Sequence, residues 1–143
     1  MQTDKDDSPF LAVEPEIETA LKAGGVGIWR WRIGSAELGW SQNLEAIHRL
    51  PPGTFDGTFE SFSGDIDPTD LTRVMTTIEY SIATGHPYEI RYRNRPPNGI
   101  EPIWIEARGE IVSSPDGERY ITGVCPDATN RITGQMDLVR RLT

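Results

Sequence analysis

Residues 24–33 read GGVGIWRWRI, and the stretch alternates bulky rings with cations. Trp29 and Trp31 fall on one side of an extended chain, because successive side chains of a strand point to opposite faces. Arg30 and Arg32 fall on the other side. Indole rings bury a large apolar area and can stack on a flat molecule. The alternation therefore predicts a strand whose tryptophans face a core or a pocket and whose arginines face the solvent.

The charge and composition of the chain exclude several partners. Its 143 residues, enough for one domain, carry a formal net charge of −8. Nucleic acids and anionic membrane surfaces attract clustered lysine and arginine, so both are expected to be repelled. No apolar run approaches the roughly 20 residues that cross a bilayer. The N-terminus MQTDKDDSPF lacks the apolar segment of a secretory signal, and Cys125 is the single cysteine. We therefore expect a cytoplasmic protein.

The first third of the chain predicts a helix followed by a hairpin. Residues 13–23 carry an apolar helical face and end at two glycines. This helix could dimerise or could lie across its own sheet. After the opening strand, Leu38 and Trp40 continue in phase as a second strand. Ser41 is placed to cap the next helix.

The remainder predicts a long helix and then three strands. Asp67 can cap a helix that begins at Pro68 and ends at Gly85. Period-two alternation and turn signals then mark strands within the segments YEIRYRNR (88–95), IEPIWIEARGEIV (100–112) and ERYITGVCP (118–126). The order predicts an α+β fold: a five-stranded antiparallel sheet with helices packed on one face, plus flanking N-terminal and C-terminal helices.

Taken in order, these segments resemble the PAS domain, in particular the subgroup found in bacterial sensor histidine kinases. The matching stretches are GIWRWRI (27–33), LGWSQNLEAIHRLPPGTFDGTFESF (38–62), DIDPTDLTRVMTTIEYSIATGHPYEIRYRN (65–94) and WIEARGEIVSSPDGERYITGVCPDATNR (104–131). The family's turn before the long helix usually begins with histidine, and here Asp67 holds that place. Aspartate is a good helix cap, so we expect the fold to be kept.

The resemblance divides the chain and implies a pocket. Residues 1–23 form an acidic tail and an amphipathic helix, residues 24–131 form the PAS domain, and residues 132–143 begin a C-terminal signalling helix. The inward-facing side chains imply a ligand pocket walled by Trp29, Trp31, Trp40, Tyr88, Tyr92, Ile105, Ala107 and Cys125. Trp104 is out of phase with its neighbours and is expected on the outer face.

A relay at the end of the last strand is also implied by the family. Asp127, Thr129 and Arg131 match the D-x-T-x-R element with which the domain ends. In the family this junction passes changes in the sheet to the output helix. The alternative interpretation is a helix cap without a signalling role.

The resemblance also argues against two cofactors. A haem-binding PAS domain uses a histidine of its long helix, whereas His86 follows Gly85 and precedes a proline. Relatives that react covalently with flavin need a cysteine in a G-x-N-C-R-F motif, and residues 62–70 (FSGDIDPTD) have none. Cys125 falls where flavin-binding relatives carry a pocket-facing glutamine. It is either a ligand contact or redox group, or a small buried hydrophobe. Any other ligand is unknown.

No catalytic or metal-binding motif is present. The chain has no G-x-x-x-x-G-K-[ST], no H-E-x-x-H and no paired C-x-x-C. Ser41, His48 and Asp65 have neither the order nor the spacing of a hydrolase triad, and His48 is interpreted as a solvent or core histidine. We predict no catalytic residue and no metal ligand in this chain.

These observations favour a sensory domain of a signal-transduction protein, most simply a sensor histidine kinase of a two-component system. A small ligand or a partner would alter the pocket. In a homodimer, the change would then pass through a coiled-coil output helix to an effector domain of the same polypeptide. The alternative is a ligand-free module for dimerisation or protein interaction, in which the aromatic rings pack a solid core.

Overall fold

The computed structural model describes residues 11–95 and 101–127. Its elements are α1 (Pro15–Gly24), β1 (Val26–Arg32), β2 (Leu38–Trp40), α2 (Asn43–Ile47), α3 (Phe59–Gly64), α4 (Pro68–Thr84), β3 (Tyr88–Arg93), β4 (Trp104–Ser113) and β5 (Arg119–Pro126). The strands form one antiparallel sheet in the order β2-β1-β5-β4-β3. The predicted fold class is confirmed. The predicted helix over 132–143 lies outside the described residues.

One row of residues crosses all five strands and explains how the sheet accepts a tryptophan. The register pairs Tyr88 with Gly109, Gly109 with Gly123, Gly123 with Trp29, and Trp29 with Trp40. Cross-strand partners share a face, so the two glycines leave a flat gap between large rings. The Trp29 ring fills this gap: its atoms lie 2.8–2.9 Å from where a side chain on Gly109 would begin. It also meets the Tyr88 ring edge-on at 5.8 Å.

The long helix α4 has the predicted ends. Its N-cap is Asp67, whose Oδ1 accepts a hydrogen bond from the Thr69 backbone N–H at 2.9 Å. It ends at Gly85, whose φ of 79° lies in the left-handed region that glycine adopts at low cost. Val74 and Ile78 lie one helical turn apart and are buried against the sheet. The helix therefore roofs the inner face of the sheet.

Ser41 does not cap the second helix, and this prediction is wrong. Its Oγ accepts a hydrogen bond from the Ile28 backbone N–H at 3.0 Å and donates to Asn43 Oδ1 at 2.6 Å. The Ser41 backbone N–H in turn donates to the Ile28 carbonyl at 2.8 Å. Ser41 thus extends the β1–β2 pairing by one residue, and α2 starts later, at Asn43.

The outer face of the sheet carries the arginines, as predicted. The Arg30 guanidinium lies 4.0 Å from the centre of the Tyr120 ring. Trp104 is 44% exposed, and the Arg93 guanidinium lies 5.1 Å from the centre of its ring. Helix α1 contacts β1 and α2, and Glu18 accepts a hydrogen bond from the Gln42 backbone N–H at 2.9 Å. A role for α1 in a dimer stays a prediction.

A buried carboxylate fastens the start of α4 to the end of β3. Asp70 is 4% exposed and accepts three hydrogen bonds from Arg93: from the backbone N–H at 2.8 Å, from Nε at 3.0 Å and from Nη2 at 2.9 Å. The Arg93 hydrogen bonds, opposed in part by burial, hold the pKa of the Asp70 carboxyl well below its usual range. The ionised carboxylate is therefore the form that stabilises the fold.

We expect Asp70→Asn to lower the free energy of unfolding by about 2–4 kcal/mol at pH 7, because it removes the charge from a paired, buried site. The folded pKa is depressed, so the contribution of Asp70 is present above the unfolded pKa of about 4 and is lost as the pH falls toward the folded value. Wild-type protein should therefore lose more stability than Asp70→Asn between about pH 5 and pH 2.

Urea unfolding at several pH values measures both effects. Glu79→Gln is the matched control, because Glu79 lies exposed on the same helix. It should change the free energy of unfolding by less than about 0.5 kcal/mol. If wild type and Asp70→Asn lost the same free energy of unfolding as the pH falls, the ion pair would not be what ties the helix to the sheet.

Candidate functional site

A small cavity lies between the inner face of the sheet and the helices. It encloses about 40 Å³. Strand residues form its floor, and residues of α2, α3 and α4 form its roof. Its wall is formed by Trp29, Trp31, Leu38, Trp40, Leu44, His48, Phe59, Phe62, Ile78, Tyr88, Tyr92, Ala107, Ile121 and Cys125.

The structure brings together almost all of the residues expected at the pocket. Trp29, Trp31, Trp40, Tyr88, Tyr92, Ala107 and Cys125 line the cavity. Ile105 is the exception: it pairs with Tyr92 across β3 and β4 and is 1% exposed, but it packs in the core and does not reach the cavity. That these side chains bind a ligand stays a prediction.

Half-buried aromatic rings form the wall nearest to the solvent. The Trp31 ring lies 4.6 Å from Phe59, and Phe59 lies 5.6 Å from Phe62. On the other side, the Trp40 ring lies 3.7 Å from Phe55. These two groups of rings form the aromatic cover of the cavity, and the rings within each group attract one another.

Phe55 is held over Trp40 by a carboxylate rather than by packing alone. The Glu45 side chain, on α2, accepts hydrogen bonds from the Gly53 backbone N–H at 3.0 Å and from the Phe55 backbone N–H at 2.9 Å. The loop after α2 is thus fastened to its own helix.

His48 is the polar residue of the wall that the sequence did not assign to the pocket. It is 1% exposed. Its Nδ1 lies 3.0 Å from Asp65 Oδ2 and its Nε2 lies 3.2 Å from the Tyr92 hydroxyl. A signal existed, because His48 follows Leu44 by four residues and shares its buried helical face. Ser41 is not part of this cluster, since its hydroxyl is bonded at the β1–β2 edge.

Burial keeps one thiol and two phenol groups of the cavity wall in their neutral forms. Burial raises the pKa of the Cys125 thiol to about 12 and raises the pKa of both Tyr88 and Tyr92 well above the usual range. Reactive cysteines need a lowered pKa, so Cys125 is a neutral wall group rather than a nucleophile. No lysine, arginine, aspartate or glutamate of the described residues lines the cavity. The wall therefore suits an uncharged molecule.

The volume of the cavity limits the size of the ligand that it can hold. About 40 Å³ accommodates roughly one or two water-sized molecules, whereas pockets for drug-sized ligands enclose about 300–1,000 Å³. A haem or flavin would require the wall to move. His86 is exposed, stacks on the Tyr80 ring at 5.5 Å and does not line the cavity. Within residues 11–95 and 101–127, no cluster of three or more His, Cys, Asp or Glu is arranged to hold a metal ion.

The predicted relay is described only at its first residue. The Asp127 backbone N–H donates to the Gly25 carbonyl at 2.6 Å, which joins the end of β5 to the turn between α1 and β1. Thr129 and Arg131 lie outside the described residues. The end of β5 is therefore linked to the N-terminal helix, and Cys125, two residues earlier, touches the cavity.

Comparison with known proteins identifies the family. A family model described as "PAS fold" matches residues 37–125. The chain therefore belongs to the PAS-fold family, whose domain is a sensory, non-catalytic module of signalling proteins.

One curated relative is the probable diguanylate cyclase DgcE of Escherichia coli (strain K12). It is 24% identical over 113 residues, covering 79% of this chain and 10% of that protein. The chain thus spans about a tenth of that relative's length. In the described part of the chain, none of the helices is both long enough and apolar enough to cross a bilayer.

Two solved structures share the fold. A sensory box histidine kinase/response regulator from Burkholderia thailandensis E264 is 21% identical, with a TM-score of 0.63 over 88% of this chain and 95% of that one. The N-terminal domain of a diguanylate cyclase with PAS/PAC sensor from Marinobacter aquaeolei is 18% identical, with a TM-score of 0.61 over 74% of this chain and 97% of that one. At these identities the likeness shows the fold alone.

Proposed function

We propose that this chain is the sensing part of a larger signalling protein, in which a small uncharged molecule enters the cavity between the sheet and the helices. The observation that supports the proposal is the cavity itself, which is lined mainly by aromatic side chains and has a buried polar cluster at His48. A ligand can drive a change only through its different affinities for two states of the protein. Filling a space this small must displace wall residues, which supplies such a difference.

The proposed relay runs along β5. Ile121 and Cys125 face the cavity from this strand, and Asp127 follows its end. Displacement of the wall shifts β5, and the shift passes through Asp127 to Thr129 and Arg131. The segment 132–143 then carries it to a homodimeric coiled coil and to the effector.

The effector we propose is a histidine kinase of a two-component system. The resemblance of the sequence and the likeness to a sensory box histidine kinase support it. A diguanylate cyclase is the alternative output, supported by the curated relative. With either effector, a cytoplasmic location belongs to the same proposal.

A ligand-free module for dimerisation or protein interaction is the second candidate. The observation that favours it is the volume of about 40 Å³, which shows that side chains fill most of the space between sheet and roof. In that case the outer face of the sheet, with Trp104 and Val124 exposed, would carry the function.

Mass spectrometry of gently purified protein, before and after denaturation, separates the two candidates. We expect wild-type protein to release one small molecule per chain. Ala107→Val places two more methyl groups at the cavity and should release none. Ala23→Val, at an exposed position of α1, is the matched control and should behave like wild type. A tight dimer that releases no molecule would instead support the assembly module.

A further inference from the structure

A buried hydrogen-bond network, Tyr92–His48–Asp65, connects three parts of the fold at one end of the cavity. Tyr92 lies on β3, His48 follows α2, and Asp65 follows α3. Tyr92 and His48 are each 1% exposed, and both line the cavity. The His48 backbone carbonyl also accepts a hydrogen bond from Asn94 Nδ2 at 2.9 Å. Any molecule that reaches this end of the cavity meets the Tyr92–His48 hydrogen bond.

The hydrogen-bond donors and acceptors of this network can be assigned. A carboxylate only accepts, so in the neutral imidazole the proton lies on Nδ1 and is donated to Asp65. His48 Nε2 then accepts a hydrogen bond from the Tyr92 hydroxyl. Because burial raises the pKa of Tyr92, its hydroxyl keeps that proton.

The weaker of the two hydrogen bonds in this network is the one at the cavity, between Tyr92 and His48. The Tyr92–His48 separation of 3.2 Å is near the upper limit for a hydrogen bond, whereas the 3.0 Å contact with Asp65 is assisted by charge. The wall also holds Trp29 Nε1, which is buried and has no hydrogen-bond partner in the described part of the chain. Buried polar atoms without partners are uncommon in proteins, and a bound water or ligand is one way in which their bonding is completed.

We propose that the cavity selects an uncharged molecule that carries a hydroxyl group on a small apolar body, and that this hydroxyl inserts between Tyr92 and His48. The inserted hydroxyl accepts a hydrogen bond from the Tyr92 hydroxyl and donates one to His48 Nε2, so every group keeps a partner. A molecule that cannot both accept and donate leaves the Tyr92–His48 hydrogen bond in place and gains no hydrogen bond from this pair. This inference rests on the proposed function, because it requires that the cavity receives a ligand.

Phenol and fluorobenzene are a suitable pair of probes, because they differ chiefly in whether the substituent can donate. Both exceed the cavity as it stands, so both require the same movement of the aromatic cover, and this cost cancels in the ratio of their dissociation constants. We expect phenol to bind about tenfold more tightly than fluorobenzene in NMR titrations. Phenol, but not fluorobenzene, should shift the ¹⁵N resonances of the His48 ring.

Two double variants test the assignment. His48→Phe combined with Tyr92→Phe removes both polar groups, and the tenfold preference should fall to near unity. Tyr80→Phe combined with His86→Phe alters the exposed tyrosine–histidine stack and should leave the preference unchanged. If the first variant fails to fold, the His48 ¹⁵N shifts of wild-type protein still decide the matter.

Two results would overturn the inference. Equal binding of the probes to wild-type protein, with no His48 shift, would show that the cavity takes a ligand without selecting a hydroxyl, and the proposed function would survive. Failure of both probes to bind would remove the inference. If mass spectrometry also releases no molecule, the proposed function would be removed with it.

Discussion

Gly123→Ala is expected to lower the free energy of unfolding by more than about 4 kcal/mol, a large part of the roughly 5–15 kcal/mol of an ordinary domain. A Cβ at this position would lie 1.8 Å from the Arg108 carbonyl oxygen and 2.5 Å from the Gly109 Cα. Both are backbone atoms of the neighbouring strand, so no side-chain rotation relieves the overlap. The methyl group fits only if β4 and β5 separate.

Urea unfolding followed by tryptophan fluorescence measures this loss. Gly64→Ala is the matched control, because a Cβ there meets no atom within 4 Å. We expect it to leave stability unchanged or to raise it by up to about 1 kcal/mol, since alanine is the better helix former. A Gly123→Ala variant within about 1 kcal/mol of wild type would contradict the close approach of the two strands.

Trp29→Ala is expected to cost about 3–5 kcal/mol, the range for truncating a large core side chain. The indole is 9% exposed, covers the gap at Gly109 and Gly123, and meets the Tyr88 ring. Its removal leaves a void that the flat glycine backbone cannot fill.

Trp104→Ala is the matched control for the opposite face. Trp104 is 44% exposed and has a cation–π contact with Arg93, so its truncation should cost about 1 kcal/mol or less. The same unfolding experiment compares both variants. A larger loss for Trp104→Ala than for Trp29→Ala would mean that the two faces of the sheet have been assigned the wrong way round.

The parts of the fold that are specified by local pattern could be predicted from the sequence. The alternation around Trp29 and Trp31 fixes which side of β1 faces inward, because the side-chain period of a strand is two. Asp67 and Gly85 mark the ends of α4 through backbone chemistry at the helix termini. These signals lie within a few residues of the structures that they determine.

The His48 cluster could not be predicted in this way. Its partners lie 17 and 44 positions away in the chain, and they meet only because α2, α3 and β3 converge at one end of the cavity. A histidine on an apolar helical face is compatible with a core residue or a pocket residue, and only the location of the cavity separates the two.

The row at Gly123 depends on register, which is likewise non-local. The sequence shows glycines at 109 and 123 but not that they pair, since their alignment is set by the β4–β5 turn and by the packing of Trp29 above them. The cavity volume is a further example, because it depends on how every wall side chain packs. Membership in the PAS-fold family therefore does not identify a ligand, which has to be inferred from the residues of the cavity.

Nuclear Overhauser effects between phenol and methyl-labelled protein test most directly whether a small molecule occupies the space between the sheet and the helices. We expect contacts from the phenol ring to the methyl groups of Ala107, Ile78 and Ile121, which line the cavity. We expect none to Val112 or Val124, which are exposed. Contacts confined to these two valines, or no contacts in a protein that also releases no small molecule on denaturation, would contradict a ligand-binding cavity.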